Sequence, residues 1–102
     1  MDKKYATQEA ITHSMMGSLG LKLIEEKEGF IRASMPVNDN TSQPFGVLCG
    51  GASLAFAEII AGYGSYLCCP EGFIPVGSSV SGNHVSSVRK APDVLVLSLI
   101  HI

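Results

Sequence analysis

The run Gly50-Gly51-Ala52-Ser53-Leu54-Ala55-Phe56-Ala57-Glu58-Ile59-Ile60-Ala61-Gly62-Tyr63-Gly64-Ser65-Tyr66-Leu67 contains one charged residue, Glu58. On a helical wheel Gly51, Leu54, Ala55, Ala61, Gly62 and Ser65 fall within about one-sixth of a turn of Glu58, while Phe56, Ile60, Tyr63 and Leu67 fall opposite. Neither face is charged, and a helix apolar all round is buried, so the pattern predicts the central helix of a domain. The Glu58 face is lined with small residues, which let another backbone or a ligand approach closely.

Working outward toward the N-terminus, Asn38-Asp39-Asn40-Thr41-Ser42-Gln43-Pro44 is rich in turn formers and reads as a loop. Before it, Leu19 to Glu26 and Phe30 to Val37 are two runs joined by Lys27-Glu28-Gly29, and Phe30 to Met35 alternates as a half-buried strand does. The pair predicts an antiparallel hairpin. Ala6, Ala10, Ile11, Met15 and Met16 behind Thr7 predict a short helix ending near Gly17. Toward the C-terminus, Pro70-Glu71-Gly72 punctuates the chain. Phe73 to Ser87 then carries Ile74, Val76, Val80 and Val85 among small polar residues and predicts a third strand, with Gly77 and Gly82 as bulges. Val94 to Ile102 is apolar to its end. This order of elements is α+β, a helix packed on a largely antiparallel sheet.

The 102 residues are 46% hydrophobic and 16% charged, which suits one small domain and excludes disorder as the main state. A formal charge of −2, with no Trp and no Lys/Arg block, supplies no broad field for nucleic acid. The first residues lack an apolar leader region, so a cytoplasmic protein is expected. The apolar stretch Phe45 to Leu67 is broken by Glu58, Gly and Ser, which makes a poor membrane span. Cys49, Cys68 and Cys69 lack metal-ligand spacing, no metal site is expected, and an adjacent pair is strained as a disulfide; all three read as reduced thiols.

Glu58 is the centre of any chemistry. A carboxylate inside an apolar helix must find a partner, reach a cavity or take up a proton, and a buried Glu tied to a loop amide or a neighbouring chain is the structural alternative. Gly50-Gly51 at the helix start is the second feature. Free backbone N–H groups there point outward at the positive end of the dipole, and glycines let a carbonyl oxygen reach them, although glycines also serve plain turns. Together the two features offer a carbonyl oxygen its donors and a carbonyl carbon its base or nucleophile, the minimum for acyl transfer. Gln43 in the approaching loop adds an amide donor. Cys49 as a nucleophile is weaker, because the wheel places it nearly opposite Glu58 and no nearby His follows. His84 reads either as a hydrogen-bonding strand residue or as part of a site, and Arg89-Lys90 either as a solvated turn or as a phosphate contact at a cleft rim.

Met35-Pro36-Val37, then Gln43 through Glu58, then Asn83-His84-Val85 resemble the hot-dog fold acyl-CoA thioesterases, in the group of 4-hydroxybenzoyl-CoA, phenylacetate-pathway and 1,4-dihydroxy-2-naphthoyl-CoA thioesterases. The loop and helix carry the specific part of the likeness, which runs to about Val96. The resemblance implies an antiparallel sheet wrapped around a long central helix, and active sites built by two subunits at the helix N-terminus. It implies hydrolysis of an acyl- or aryl-CoA thioester, with Glu58 as nucleophile or general base, the N–H of Gly50 polarising the carbonyl and Gln43 assisting. Cys49, Gly51, Gly62, His84 and Arg89 would line the substrate path. No cofactor is implied beyond the coenzyme A of the substrate, and the expected partners are copies of the same chain in a homo-oligomer, a dimer of dimers, with neither nucleic acid nor membrane.

Three departures qualify the resemblance. The residue before the glycines is commonly His in that group and is Cys49 here; Gly62, often Ser or Thr, brings no hydroxyl. The third is that relatives continue through further antiparallel strands, so the last strands are expected to be missing, leaving an exposed sheet edge. Leu97-Ser98-Leu99-Ile100-His101-Ile102 back-translates as CTG TCT CTT ATA CAC ATC, the mosaic end of transposon-based sequencing libraries. The expectation is a partial hot-dog domain over 1–96 and an adapter-encoded tail over 97–102, against a genuine apolar edge strand. The rival functions are a non-catalytic acyl-CoA-binding or assembly module, and a hot-dog hydratase or dehydratase, whose catalytic His context Cys49-Gly50-Gly51 does not supply.

Overall fold

The computed structural model describes residues 7–27, 29–89 and 94–100. The order of elements is α1 (Gln8–Thr12), α2 (Met15–Ser18), β1 (Lys22–Lys27), β2 (Phe30–Pro36), α3 (Gly50–Cys68) and β3 (Val94–Ile100). The single N-terminal helix expected from the apolar spacing is split in two. Ser14 divides it: its hydroxyl donates to the Ile11 carbonyl at 2.7 Å and accepts from the Met16 N–H at 3.2 Å, ending one helix and capping the next.

The hairpin forms as its pattern predicts. Lys27 pairs with Phe30 and Lys22 with Ser34 in an antiparallel ladder, shifted by one residue between Leu23 and Glu25. The turn is made by a glycine at positive φ, Gly29 at +86°, which L side chains adopt only with strain. Along β2 the alternation sends Ile31, Ala33 and Met35 into the interior, each at most 1% exposed.

The sheet has three strands in the order β1-β2-β3, with β3 antiparallel to β2 from Phe30↔Ile100 to Pro36↔Val94. Leu97 to Ile100, within the segment expected to be adapter-encoded, therefore pair with β2. The third strand is not the one the β-branched residues suggested. Phe73 to Ser87 runs without a ladder among the described residues, and Gly77 and Gly82 are not bulges. High β propensity makes a strand only where a neighbouring strand accepts its N–H and C=O groups, and β2 is already paired on both sides. The segment instead lies as a strap along α3.

Helix α3 begins at Cys49, its N-cap, and buries Phe56, Ile60 and Tyr63, three of the four residues assigned to the face opposite Glu58. They pack with Met16, Leu21, Ile31, Ala33 and Met35 into one core between helix and sheet. The expectation of burial all round is corrected: the Glu58 side of α3 is half-buried, because the sheet covers one side only and the strap the other.

Candidate active site

The loop between β2 and α3 is held by Thr41, the one buried polar residue among those described. Its hydroxyl donates to the Pro36 carbonyl at 2.9 Å and accepts from the Asn38 N–H at 2.9 Å, while its carbonyl accepts from the Cys49 N–H at 2.8 Å. A tight reversal follows, in which the Gln43 N–H donates to the Val47 carbonyl at 2.7 Å around Gly46 at φ +91°. The Leu48 N–H then donates to the Val88 carbonyl at 2.7 Å, and Val47 bridges Arg89. These bonds deliver Gln43, Cys49 and Arg89 to the N-terminal end of α3.

There the Gln43 side-chain amide stands 3.7 Å from Cys49 Sγ, and Cys49 makes no side-chain cap. Gly50 lies under the imidazole of His84, and a Cβ on Gly50 would stand 3.0 Å from His84 Cε1. Glycine at this helix start thus leaves room for the ring. Ser53, which the sequence did not single out, links the two: its Oγ is 2.6 Å from His84 Nε2 and 2.9 Å from the Gly50 carbonyl. A hydroxyl has one proton, so when Ser53 donates to the Gly50 carbonyl the His84 Nε2–H is the donor to Ser53. The spacing of three residues between Gly50 and Ser53 was the available signal; the partner 31 residues away was not. Leu48, Gly50 and His84 with Val85 to Val88 line a cavity of about 450 Å³.

Glu58 reaches a cavity, one of the outcomes open to a lone carboxylate in an apolar helix. The space, about 300 Å³, is lined on the helix by Ala57, Glu58, Ala61, Gly62 and Ser65 and on the strap by residues from Pro75 to Val80. Gly62 faces it with no atom within 4 Å of where its Cβ would stand, so the missing hydroxyl becomes open room. Gly51 is exposed. The two halves of the expected site are separate within this chain: Gly50, Gln43, Cys49, His84 and Arg89 gather at the start of α3, Glu58 lies two turns along, about 12 Å by helical rise, and Gly62 one turn further, about 18 Å. Among the described residues no three His, Cys, Asp or Glu side chains form a metal-binding group, and no helix is long and apolar enough to cross a membrane.

Comparison with known proteins places this arrangement. Residues 45–99 match the thioesterase superfamily. A putative esterase of Haemophilus influenzae is 42% identical over 78 residues, covering 76% of this chain and 56% of the relative. The 1,4-dihydroxy-2-naphthoyl-CoA hydrolase of Escherichia coli is 37% identical over 92 residues, covering 86% of this chain and 68% of the relative. The crystal structure of a thioesterase from Haemophilus influenzae superposes with a TM-score of 0.81 at 37% identity, over 94% of this chain and 68% of that one. The chain thus spans between about half and two-thirds of the length of these relatives. The likeness confirms the α+β class and the hot-dog architecture, with its long helix against an antiparallel sheet. By its sequence and by its fold, the chain belongs to the thioesterase superfamily.

Proposed function

We propose that the protein hydrolyses an acyl- or aryl-CoA thioester to the free acid and coenzyme A, with Glu58 as the reacting carboxylate. The observation that carries this reading is the position of Glu58: the lone carboxylate of α3, in the segment matched to the thioesterase superfamily, opens onto a cavity of small and apolar walls. As a nucleophile, the carboxylate adds to the thioester carbon, the C–S bond breaks to release the thiolate, and water splits the resulting anhydride. As a general base, it takes a proton from the water that attacks the same carbon. Both routes end in a carboxylic acid and a thiol.

The N–H of Gly50, at the positive end of α3, is the proposed donor to the carbonyl oxygen, with the Gln43 amide beside it. Removal of one such donor costs about 10² to 10³ in rate in other acyl-transfer enzymes. Cys49, Gly51 and His84 at the helix start, Gly62 at the carboxylate and Arg89 beside Val47 are the proposed contacts along the substrate. No cofactor takes part, coenzyme A being half of the substrate.

The separation of Gly50 from Glu58 supports a homo-oligomer in which the helix start of one subunit serves the carboxylate of another. The strap gives that assembly its surface: Ile74 is 75%, Val76 84% and Val85 95% exposed. A dimer of dimers is the proposed form, and a cytoplasmic location accords with three free thiols. Free-thiol release from an aromatic CoA thioester by the complete protein carrying this sequence tests the activity. Coenzyme A binding without release would instead select the non-catalytic module.

A further inference from the structure

The strap meets the Glu58 carboxylate at Gly77. A Cβ on this residue would overlap Glu58 Oε2, and would stand 3.2 Å from the carboxylate carbon Cδ and 3.7 Å from Cγ. The backbone of Gly77 is not in the left-handed region, unlike Gly20, Gly29, Gly46 and Gly72, so no turn geometry requires glycine here. Space requires it. The carboxylate meets the strap at Gly77, while Gly62, with no side chain, leaves the cavity of about 300 Å³ between helix and strap open along α3.

We propose that Gly77 is a positioning residue for Glu58: its bare backbone is the wall that sets where the carboxylate stands relative to the acyl cavity. This rests on the reading of Glu58 as the reacting group and adds to it the element that aims it. A methyl group at position 77 displaces the carboxylate from the place where it meets the thioester carbon. Misplacement of a reacting group by about 1 Å costs on the order of 10² in rate. A side chain one methylene shorter at position 58 draws the carboxylate back toward α3 and removes the conflict.

A double-mutant cycle in the complete protein tests this, with kcat and KM for thiol release from an aromatic CoA thioester and a thermal melt for each variant. Gly77→Ala is expected to lower kcat by about 10- to 100-fold with KM within about threefold. In the Glu58→Asp background the same substitution is expected to change kcat by less than about threefold. Equal losses in both backgrounds, or no loss in the native background, would overturn the proposal while leaving Glu58 in its role. Native turnover by Glu58→Gln would overturn the reading of Glu58 and the proposal with it. If Gly77→Ala does not fold, the melts decide: a folded Glu58→Asp/Gly77→Ala protein supports the steric pairing, and an unfolded one overturns it.

Discussion

Glu26, on the edge strand β1, shares a groove of about 690 Å³ with Lys22, Leu23 and Tyr63. Burial raises its carboxyl pKa above the ordinary value of 4.5. A carboxyl raised in the folded state takes up its proton more readily there than in the unfolded chain, so stability falls as pH rises from 4.5 through the folded pKa. Glu26→Gln, which imitates the protonated form, should therefore raise Tm at neutral pH, with the gain disappearing below about pH 4.5, as melts across pH would register. At this scale the sequence was most legible where one residue type broke a pattern. Glu58 stood out as the lone charge of an apolar helix. Ser53 did not, since it meets His84 from 31 residues away, and Gly77 was read as a bulge because its place against Glu58 depends on the strap.

Helix α3 and strand β2 carry the core, and their elements were readable because each periodicity had one explanation. The alternation in β2 matched its buried residues, and the wheel face of Phe56, Ile60 and Tyr63 is the face that packs. Phe56, with none of its surface exposed, fills the centre of that face. Phe56→Ala should cost about 3–5 kcal/mol, a large share of a small domain's stability, measured by urea unfolding. The strap misled because Ile74, Val76, Val80 and Val85 have the composition of a strand while their partners lie outside what local sequence specifies. The N-terminal helix misled for a local reason: Ser14 offers its neighbours a hydrogen-bonding alternative to a continuous helix.

Across the described residues, one side of α3 is covered by a three-stranded sheet and the other by a strap that leaves Phe73, Ile74, Val76 and Val85 largely exposed. In the proposed homo-oligomer, burial of that surface against a second copy accounts for the strap's composition. Ile74→Lys, at a position 75% exposed, should shift the complete protein toward monomer in sedimentation velocity and reduce turnover with it. A fully active monomer would remove the shared site. The central claim concerns Glu58, and the rate of thiol release from a saturating aromatic CoA thioester by Glu58→Ala tests it most directly. The account predicts a loss of at least about 10² in kcat with the fold intact by thermal melt; native turnover in that variant would contradict it.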